Sequence, residues 1–168
     1  MDAPLTDGTV TLAPLGTADF EAHYAGEDAD MVRWLSGRPS TPAALRAYLE
    51  LCERQWTEAG PLRNFGIRVP DLAGTMDVQV AQPYLAPGQA NLAYGLYPRW
   101  RGRGLATRAV RLACAYAASL GCTEAVIRCE RPNTASAAVA LRAGFTFRQQ
   151  RSEPDGTLLD WYTRPLRP

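Results

Sequence analysis

Apolar and polar residues alternate along this chain with two different periods, which predict helices and strands in turn. From Leu105 to Leu120 the apolar residues recur at intervals of three and four, the spacing of one helix face, and Gly121 follows as a stop. A second long helix is predicted from Pro42 to about Ala59, because Thr41 can cap it and proline is favoured at a first helical position. Shorter helices are predicted at 17–24, at 28–35 and at 133–144, the last with Asn133 as its cap.

Strands are predicted where side chains alternate between apolar and polar or where short apolar runs end at turn residues. Seven such segments are found, at 9–15, 64–69, 74–80, 91–97, 125–129, 146–151 and 158–163. The third strand should point Asp77 to the face opposite Met76 and Val78. The strand 91–97, the helix 105–120 and the strand 125–129 form a crossover unit, which predicts parallel pairing. The pattern therefore predicts a mixed α/β fold.

Composition limits the class of protein. A length of 168 residues suits one domain, spanning 1–168, and 46% hydrophobic with 21% charged residues is typical of a globular protein. The sequence contains no apolar run long enough to cross a membrane and no signal peptide, so we expect no membrane partner and a cytoplasmic location. The formal net charge of +1 argues against nucleic acid as the main partner. Four cysteines without a C-x-x-C pair predict reduced, buried thiols and no metal site.

The segment between the fourth strand and the long helix has the character of a phosphate-binding turn. It reads Arg99-Trp100-Arg101-Gly102-Arg103-Gly104, so glycines and arginines precede a helix N-terminus whose main-chain amides have no helical partners. The turn is not a Walker A motif, because the chain contains no lysine, and Thr107 stands where a dinucleotide fingerprint needs its third glycine. From these residues alone a phosphate site, a solvated Arg-rich helix start and an RNA-binding loop all stay open.

A second motif downstream favours coenzyme A as the phosphate ligand. The pattern N-x-x-S-x-x-[VL]-x-x-x-x-G-F occurs one helix and one strand after the turn. It is matched by Asn133, Ser136, Val139 and the pair Gly144-Phe145. With both motifs in this order, the chain resembles the GCN5-related N-acetyltransferase (GNAT) family and, within it, the RimJ/RimL-like branch. The acetyl-CoA signature of that family, [QR]-x-x-G-x-[GA], is matched by residues 99–104, and looser resemblance extends from about 10 to 166.

The resemblance implies a fold, a cosubstrate and a set of binding residues. The fold would be a three-layer α/β/α sandwich whose mixed, mostly antiparallel, seven-strand sheet splays between strands four and five. The pantetheine arm of acetyl-CoA would pair with the free edge of strand four, where a backbone N–H would also polarise the thioester carbonyl, and the pyrophosphate would rest on the turn. The residues implied to bind acetyl-CoA are Leu96, Tyr97, Arg99, Arg101, Gly102, Arg103, Gly104, Leu105, Ala106, Thr107 and Asn133.

The activity that the resemblance implies is direct transfer of the acetyl group to a primary amine within a ternary complex. Asp77 is our candidate for the base, because its face should open toward the acceptor; relatives often carry an acid near the start of strand four, where this chain has Asn91. Ser136 is our candidate for the proton donor to the leaving thiolate, since Ala140 replaces the tyrosine that many acetyltransferases use. Each has a structural alternative: a solvated or salt-bridged carboxylate for Asp77, and for Ser136 a serine that bonds to the backbone of its own helix.

The acceptor is not specified by any motif. A protein N-terminus and a small-molecule amine both fit, and the residues that would cover it are the early helices and the loop 82–89. Trp34, Arg38, Tyr48 and Trp56 are candidates for lining its pocket, with core packing as the alternative for the aromatic residues; His23, the only histidine, is expected to be a packing or surface residue. A catalytically silent CoA-binding module and an Arg-loop RNA-binding protein are the alternative functions, and a homodimer stays open.

Overall fold

The computed structural model describes residues 5–167 and contains one mixed sheet of eight strands. The strands are β1 (Leu5–Thr6), β2 (Thr11–Pro14), β3 (Leu62–Val69), β4 (Asp71–Val80), β5 (Gln89–Leu96), β6 (Glu124–Glu130), β7 (Thr146–Ser152) and β8 (Leu158–Pro165). Their order across the sheet is β1-β2-β3-β4-β5-β6-β8-β7, and β5 with β6 is the parallel pair. The predicted crossover with parallel pairing is therefore confirmed.

In the described part of the chain, five α-helices connect and cover the strands. They are α1 (Phe20–Gly26), α2 (Ala29–Met31), α3 (Pro42–Thr57), α4 (Leu105–Ser119) and α5 (Thr134–Arg142), with 3₁₀ turns at Thr17–Asp19 and Pro98–Trp100 and a π-helical turn at Val32–Ser36. The predicted caps are confirmed: Thr41 Oγ1 accepts from the Ala44 amide at 3.2 Å, and Asn133 Oδ1 accepts from the Ser136 amide at 3.1 Å. Within residues 5–167, no helix combines the length and the apolar character that crossing a membrane requires.

Two hydrophobic cores place these helices on opposite faces of the sheet. The larger core joins Met76 and Val78 of β4 to Val110 of α4 and Ala140 of α5. A smaller core lies under the first helices and includes Leu15, Phe20, Leu45, Leu49 and Leu72. The alternation predicted for the strand around Asp77 is confirmed, since its apolar residues face the larger core. The result is the α/β/α sandwich that the resemblance implied.

The sheet has eight strands and not the predicted seven. The additional strand is β1, whose two residues pair with Thr11 and Leu12 of β2 in a short hairpin. Gly8 adopts a φ of 86° in its turn, and the Asp7 carboxylate accepts from the amides of Thr9 and Val10 at 2.9 Å each. Two residues are too few to produce a periodic pattern, so only the tertiary pairing identifies this strand.

The splay between the fourth and fifth predicted strands, now β5 and β6, is present. These strands pair only at Gln89 with Glu124, Ala90 with Ala125 and Asn91 with Val126. On its other side, β5 stays paired with β4 as far as Leu96. The edge of β5 from residue 92 to 96 therefore lacks a strand partner on the β6 side, and a free strand edge of this kind can pair with an extended ligand.

Candidate active site

The turn before α4 presents a row of main-chain amides without protein partners. Gly102 and Gly104 have φ angles of 74° and 72°, in the left-handed region that favours glycine. Gly104 is the N-cap of the 15-residue helix α4 and provides no side-chain cap. Among the described residues, none accepts a hydrogen bond from the amides of residues 102 to 107. This row, at the positive end of a helix dipole, is suited to bind a diphosphate.

A cavity of about 600 Å³ extends from this turn along the unpaired edge of β5 to α5. We refer to it as the first cavity. It is lined by Asp30, Met31, Trp34, Leu35, Tyr94, Gly95, Leu96, Arg101, Gly102, Gly104, Leu105, Ala106, Thr107, Asn133, Ala135, Ser136, Val139 and Arg142. The Thr107 hydroxyl is buried there without a hydrogen-bond partner in the described structure. A ligand with one polyanionic end and a long, partly apolar arm therefore fits this space.

The three arginine side chains of the turn each lie against a neighbouring group of the protein. Arg101 pairs through both terminal nitrogens with Asp28, at 2.7 and 2.8 Å, and this pairing lowers the pKa of the Asp28 carboxyl. The guanidinium groups of Arg99 and Arg103 lie 5.0 and 5.4 Å from the ring centre of Trp100. Of the three predicted arginines, only Arg101 lines the first cavity.

The two residues predicted to bind pantetheine, Leu96 and Tyr97, differ in the hydrogen bonds that their main-chain groups make. The Tyr97 amide donates to the Ala73 carbonyl at 2.9 Å, and its buried hydroxyl lies 2.8 Å from His23 Nδ1. Both groups of Tyr97 therefore have partners within the protein, and Tyr97 is not among the residues that line the first cavity. Because residues of a strand alternate in direction, Leu96 faces the gap, where its carbonyl accepts from Arg101 Nε at 2.9 Å.

A second cavity, of about 410 Å³, lies on the other side of β5. Its lining comprises His23, Glu27, Met31, Leu35, Ser36, Arg38, Pro39, Ser40, Ala44, Leu45, Tyr48, Thr75, Asp77, Gln79, Ala93 and Tyr94. Three residues, Met31, Leu35 and Tyr94, line both cavities. A ligand in the first cavity and a ligand in the second would therefore approach each other at these three residues.

Asp77 lies half-buried on the wall of the second cavity. Its Oδ1 accepts from Asn64 Nδ2 at 2.8 Å, and burial raises the pKa of the carboxyl to about 6. The structure shows no ion pair to Asp77 among the residues it describes, so the alternative of a salt-bridged carboxylate is not supported. A carboxyl with this pKa is mostly ionised at pH 7 and can accept a proton from a nearby group.

The remaining candidates for the acceptor pocket are distributed over three places. Arg38 and Tyr48 line the second cavity, whereas Trp34 lines the first. Trp56 instead packs against the larger core, with its ring centre 4.8 Å from that of Phe65. The alternative of core packing is therefore correct for Trp56.

His23 has a larger part in the second cavity than its place on a short helix suggested. It is buried, lines the cavity and contacts the Tyr97 hydroxyl, and burial lowers the pKa of its imidazole, so the ring is mostly neutral at pH 7. The nearby Glu27 carboxylate is held by the Ser40 amide and hydroxyl at 2.7 and 2.6 Å. Neither position belongs to a sequence motif, so only the fold brings them to the pocket.

Ser136 lies on the first cavity beside a tyrosine that the sequence analysis did not single out. The Tyr94 hydroxyl is 3.2 Å from Ser136 Oγ and 3.2 Å from the Ser136 carbonyl oxygen. Burial raises the pKa of Tyr94, so its hydroxyl keeps its proton at neutral pH. In the sequence, Tyr94 falls on the same strand face as Leu92 and Leu96, as a core residue would, and only the splay of β5 and β6 exposes it to both cavities.

Comparison with known proteins identifies the family and the fold. A family model described as an acetyltransferase (GNAT) domain matches residues 9–146. A search of curated protein sequences finds no significant match. The solved structures that resemble this one include RimL, a ribosomal L7/L12 alpha-N-protein acetyltransferase in complex with coenzyme A, at 19% sequence identity and a TM-score of 0.83 over 98% of both chains.

Two further similar structures contain acetyl-CoA. One is the microcin C7 self-immunity acetyltransferase MccE in complex with acetyl-CoA and AMP, with 19% identity, a TM-score of 0.80, and 98% of this chain and 100% of that chain covered. The other is AAC(6')-Ib in complex with parmomycin and acetyl-CoA, with 19% identity, a TM-score of 0.79, and 94% and 93% covered. At these identities the structural likeness establishes a shared fold.

Proposed function

This chain belongs to the acetyltransferase (GNAT) family, and on that premise we propose that it transfers the acetyl group of acetyl-CoA to a primary amine. The observation that carries the proposal is the pair of cavities that share a wall at Tyr94, one of them ending at unpartnered amides. Acetyl-CoA would occupy the first cavity and the amine the second. The two would meet directly, so no covalent acyl-enzyme is required.

The residues of the first cavity fit acetyl-CoA at three points. Amides of residues 102 to 107 would hold the diphosphate, and the buried Thr107 hydroxyl would gain the partner that it lacks within the described structure. The Leu96 amide, on the free edge of β5, would donate to a carbonyl of pantetheine, since the Leu96 carbonyl already accepts from Arg101 Nε. Asn133, whose side-chain oxygen already caps α5, lines the same space and would contact pantetheine through its side-chain amide nitrogen.

Asp77 is the proposed base for the acceptor amine. The amine must be neutral to attack the thioester carbon, and the proton it loses would pass to the Asp77 carboxylate directly or through one water. An α-amine, with a pKa of about 8, is far easier to deprotonate than a lysine side chain at about 10.4. A protein N-terminus or a small-molecule amine of similar pKa is therefore the favoured acceptor.

Ser136 is the proposed proton donor to the thiolate that leaves when the carbon–sulfur bond breaks. Its hydroxyl faces the first cavity, and the Tyr94 hydroxyl beside it can return the proton, because it stays protonated at neutral pH. Many acetyltransferases carry a tyrosine at the position of Ala140. In this chain a phenol would reach the first cavity from Tyr94 of β5 instead.

Replacing Ser136 by alanine is expected to lower kcat by about 10- to 100-fold with little change in the KM for acetyl-CoA. Tyr94→Phe should have a smaller effect, because the phenol acts only through the serine in this scheme. Steady-state kinetics of both variants, with folding checked by circular dichroism, measure the two effects. A larger loss in Tyr94→Phe than in Ser136→Ala would make the tyrosine the donor.

The experiment that tests the function has two parts. Titration calorimetry measures the binding of acetyl-CoA, and a thiol-release assay then follows its turnover with a panel of amines. The panel contains peptides with free N-termini, an aminoglycoside and a polyamine, the first two chosen from the similar structures. Binding with release by one class of amine supports the proposal. Binding without release by any amine would favour a silent CoA-binding module, and the absence of binding would overturn both.

A further inference from the structure

We propose that Arg101 and Asp28 are a positioning pair that couples the binding of coenzyme A to the closure of the shared wall over both cavities. This inference rests on the proposed function, because it assumes that coenzyme A binds at the turn before α4. The segment concerned is residues 28–36, which we call the roof segment; it comprises α2 and the π-helical turn, with Asp28 as its N-cap.

Arg101 joins three parts of the site through one side chain. Its two terminal nitrogens bind the two carboxylate oxygens of Asp28 at 2.7 and 2.8 Å, and one of them also lies 3.3 Å from Asp30. Its Nε donates to the carbonyl of Leu96, on the free edge of β5. A planar guanidinium in this two-point arrangement fixes the orientation of both partners, which a lysine could not do.

The roof segment contributes most of the wall that the two cavities share. Met31 and Leu35 belong to it and line both cavities. A side-chain carbon at Gly95 of β5 would lie 2.6 Å from Leu35 Cδ1 and 3.4 Å from Met31 Cε, so the segment packs directly on the strand at its glycine. Any shift of the roof segment therefore changes the junction at which thioester and amine would meet.

The Arg101–Asp28 ion pair connects the turn before α4 to the roof segment. Arg101 directly precedes Gly102 in the turn, so a diphosphate held by the amides of the turn would fix the backbone from which the Arg101 side chain reaches Asp28. Asp28, in turn, holds the first turn of the roof segment, since its Oδ1 also accepts from the Met31 amide at 3.1 Å. A ligand bound by the turn should therefore lower the opening rate of the roof segment, and the pair is the connection through which it does so.

Hydrogen exchange of the roof segment tests this coupling without any acceptor. In the wild type, saturation with coenzyme A should slow amide exchange of residues 28–36 by about tenfold or more. Asp28→Asn keeps an N-cap acceptor for Met31 but removes the charge, and Asp28→Asn with Asp30→Asn also removes the second carboxylate near Arg101. In both variants coenzyme A should still bind by calorimetry, while most of the protection of the roof segment is lost.

Two matched variants separate coupling from general loss of an ion pair. Asp71→Asn removes the exposed partner of Arg99, which lies at 3.9 Å, and should leave the protection unchanged. Asp28→Glu keeps the carboxylate and should restore a large part of it. With an active acceptor, Asp28→Asn should raise the acceptor KM more than it lowers kcat.

The outcomes are distinct. Equal protection of the roof segment in the wild type and in Asp28→Asn would overturn the coupling. It would also be overturned if coenzyme A bound to both proteins and protected the roof segment in neither protein. If the wild type failed to bind coenzyme A at all, the proposed function would fall and this inference with it. Protection that depends on Asp28 while binding persists would support both.

Discussion

Replacing Gly104 by valine is expected to weaken the binding of coenzyme A by at least about 100-fold. Two effects act together. The φ of 72° at Gly104 is strained for any residue with a Cβ, and most of all for a β-branched one, so the turn that orients the amides should change its conformation. The new side chain would also meet no protein atom within 4 Å and would extend from a residue that lines the first cavity.

The same helix offers a control for the backbone strain. Gly121, just beyond the C-terminal end of α4, has a φ of 84° and equally open surroundings, but it lies far along the helix from the turn. Gly104→Val and Gly121→Val should each lower the free energy of unfolding by about 1–2 kcal/mol. Calorimetric titration with coenzyme A should then find normal binding in Gly121→Val alone. Equal losses of affinity in the two variants would show that the turn has no specific part in binding.

Replacing Asp77 by asparagine is expected to lower kcat/KM for the acceptor by about 100-fold or more, because the proposed base is lost. The wild-type rate should fall as pH drops below about 6, where burial has placed the pKa of this carboxyl, and the variant should lack that limb. A pH profile of kcat/KM at saturating acetyl-CoA measures both effects. Asp160→Asn, a buried carboxylate on β8 outside both cavities, is the matched control and should keep the wild-type profile.

The same substitution should stabilise the fold at neutral pH. The folded pKa of Asp77, about 6, lies above the unfolded value of about 3.9, so the folded state holds the proton more tightly. Below pH 4 both states are protonated and the group contributes nothing; between pH 4 and 6 a destabilisation develops, and it is complete above pH 6. Asp77→Asn, which can still accept from Asn64, should therefore gain about 3 kcal/mol of unfolding free energy at pH 7 and much less at pH 4.

Denaturant unfolding at the two pH values checks this second effect. If Asp77 is the base, its replacement should give a variant that is more stable but less active. A buried carboxylate destabilises the fold, and the protein tolerates this cost where the reaction needs the charge. If Asp77→Asn were stabilised and fully active, the carboxyl would be a structural feature and the base would have to be sought elsewhere, first at His23.

The sequence alone determined the elements whose signals are local. The two glycines of the turn, the cap at Asn133 and the helix from Leu105 onward follow from the conformational limits of neighbouring residues, and the structure has each of them where the pattern put it. The crossover between β5 and β6 also followed, since a strand, a helix and a strand in this order can pack in few ways.

The tertiary structure decided what depends on residues far apart in the chain. Arg101 reads as a phosphate ligand in the sequence, but Asp28, 73 positions away, engages its charge. The sequence pattern places Tyr94 among core residues, but the separation of β5 from β6 opens a cavity beside its side chain. The amide of Tyr97 donates to the Ala73 carbonyl and is therefore not available to a ligand. Local sequence fixes backbone conformation through short-range sterics, whereas the partners of a side chain are set by the packing of whole elements, which no single segment encodes.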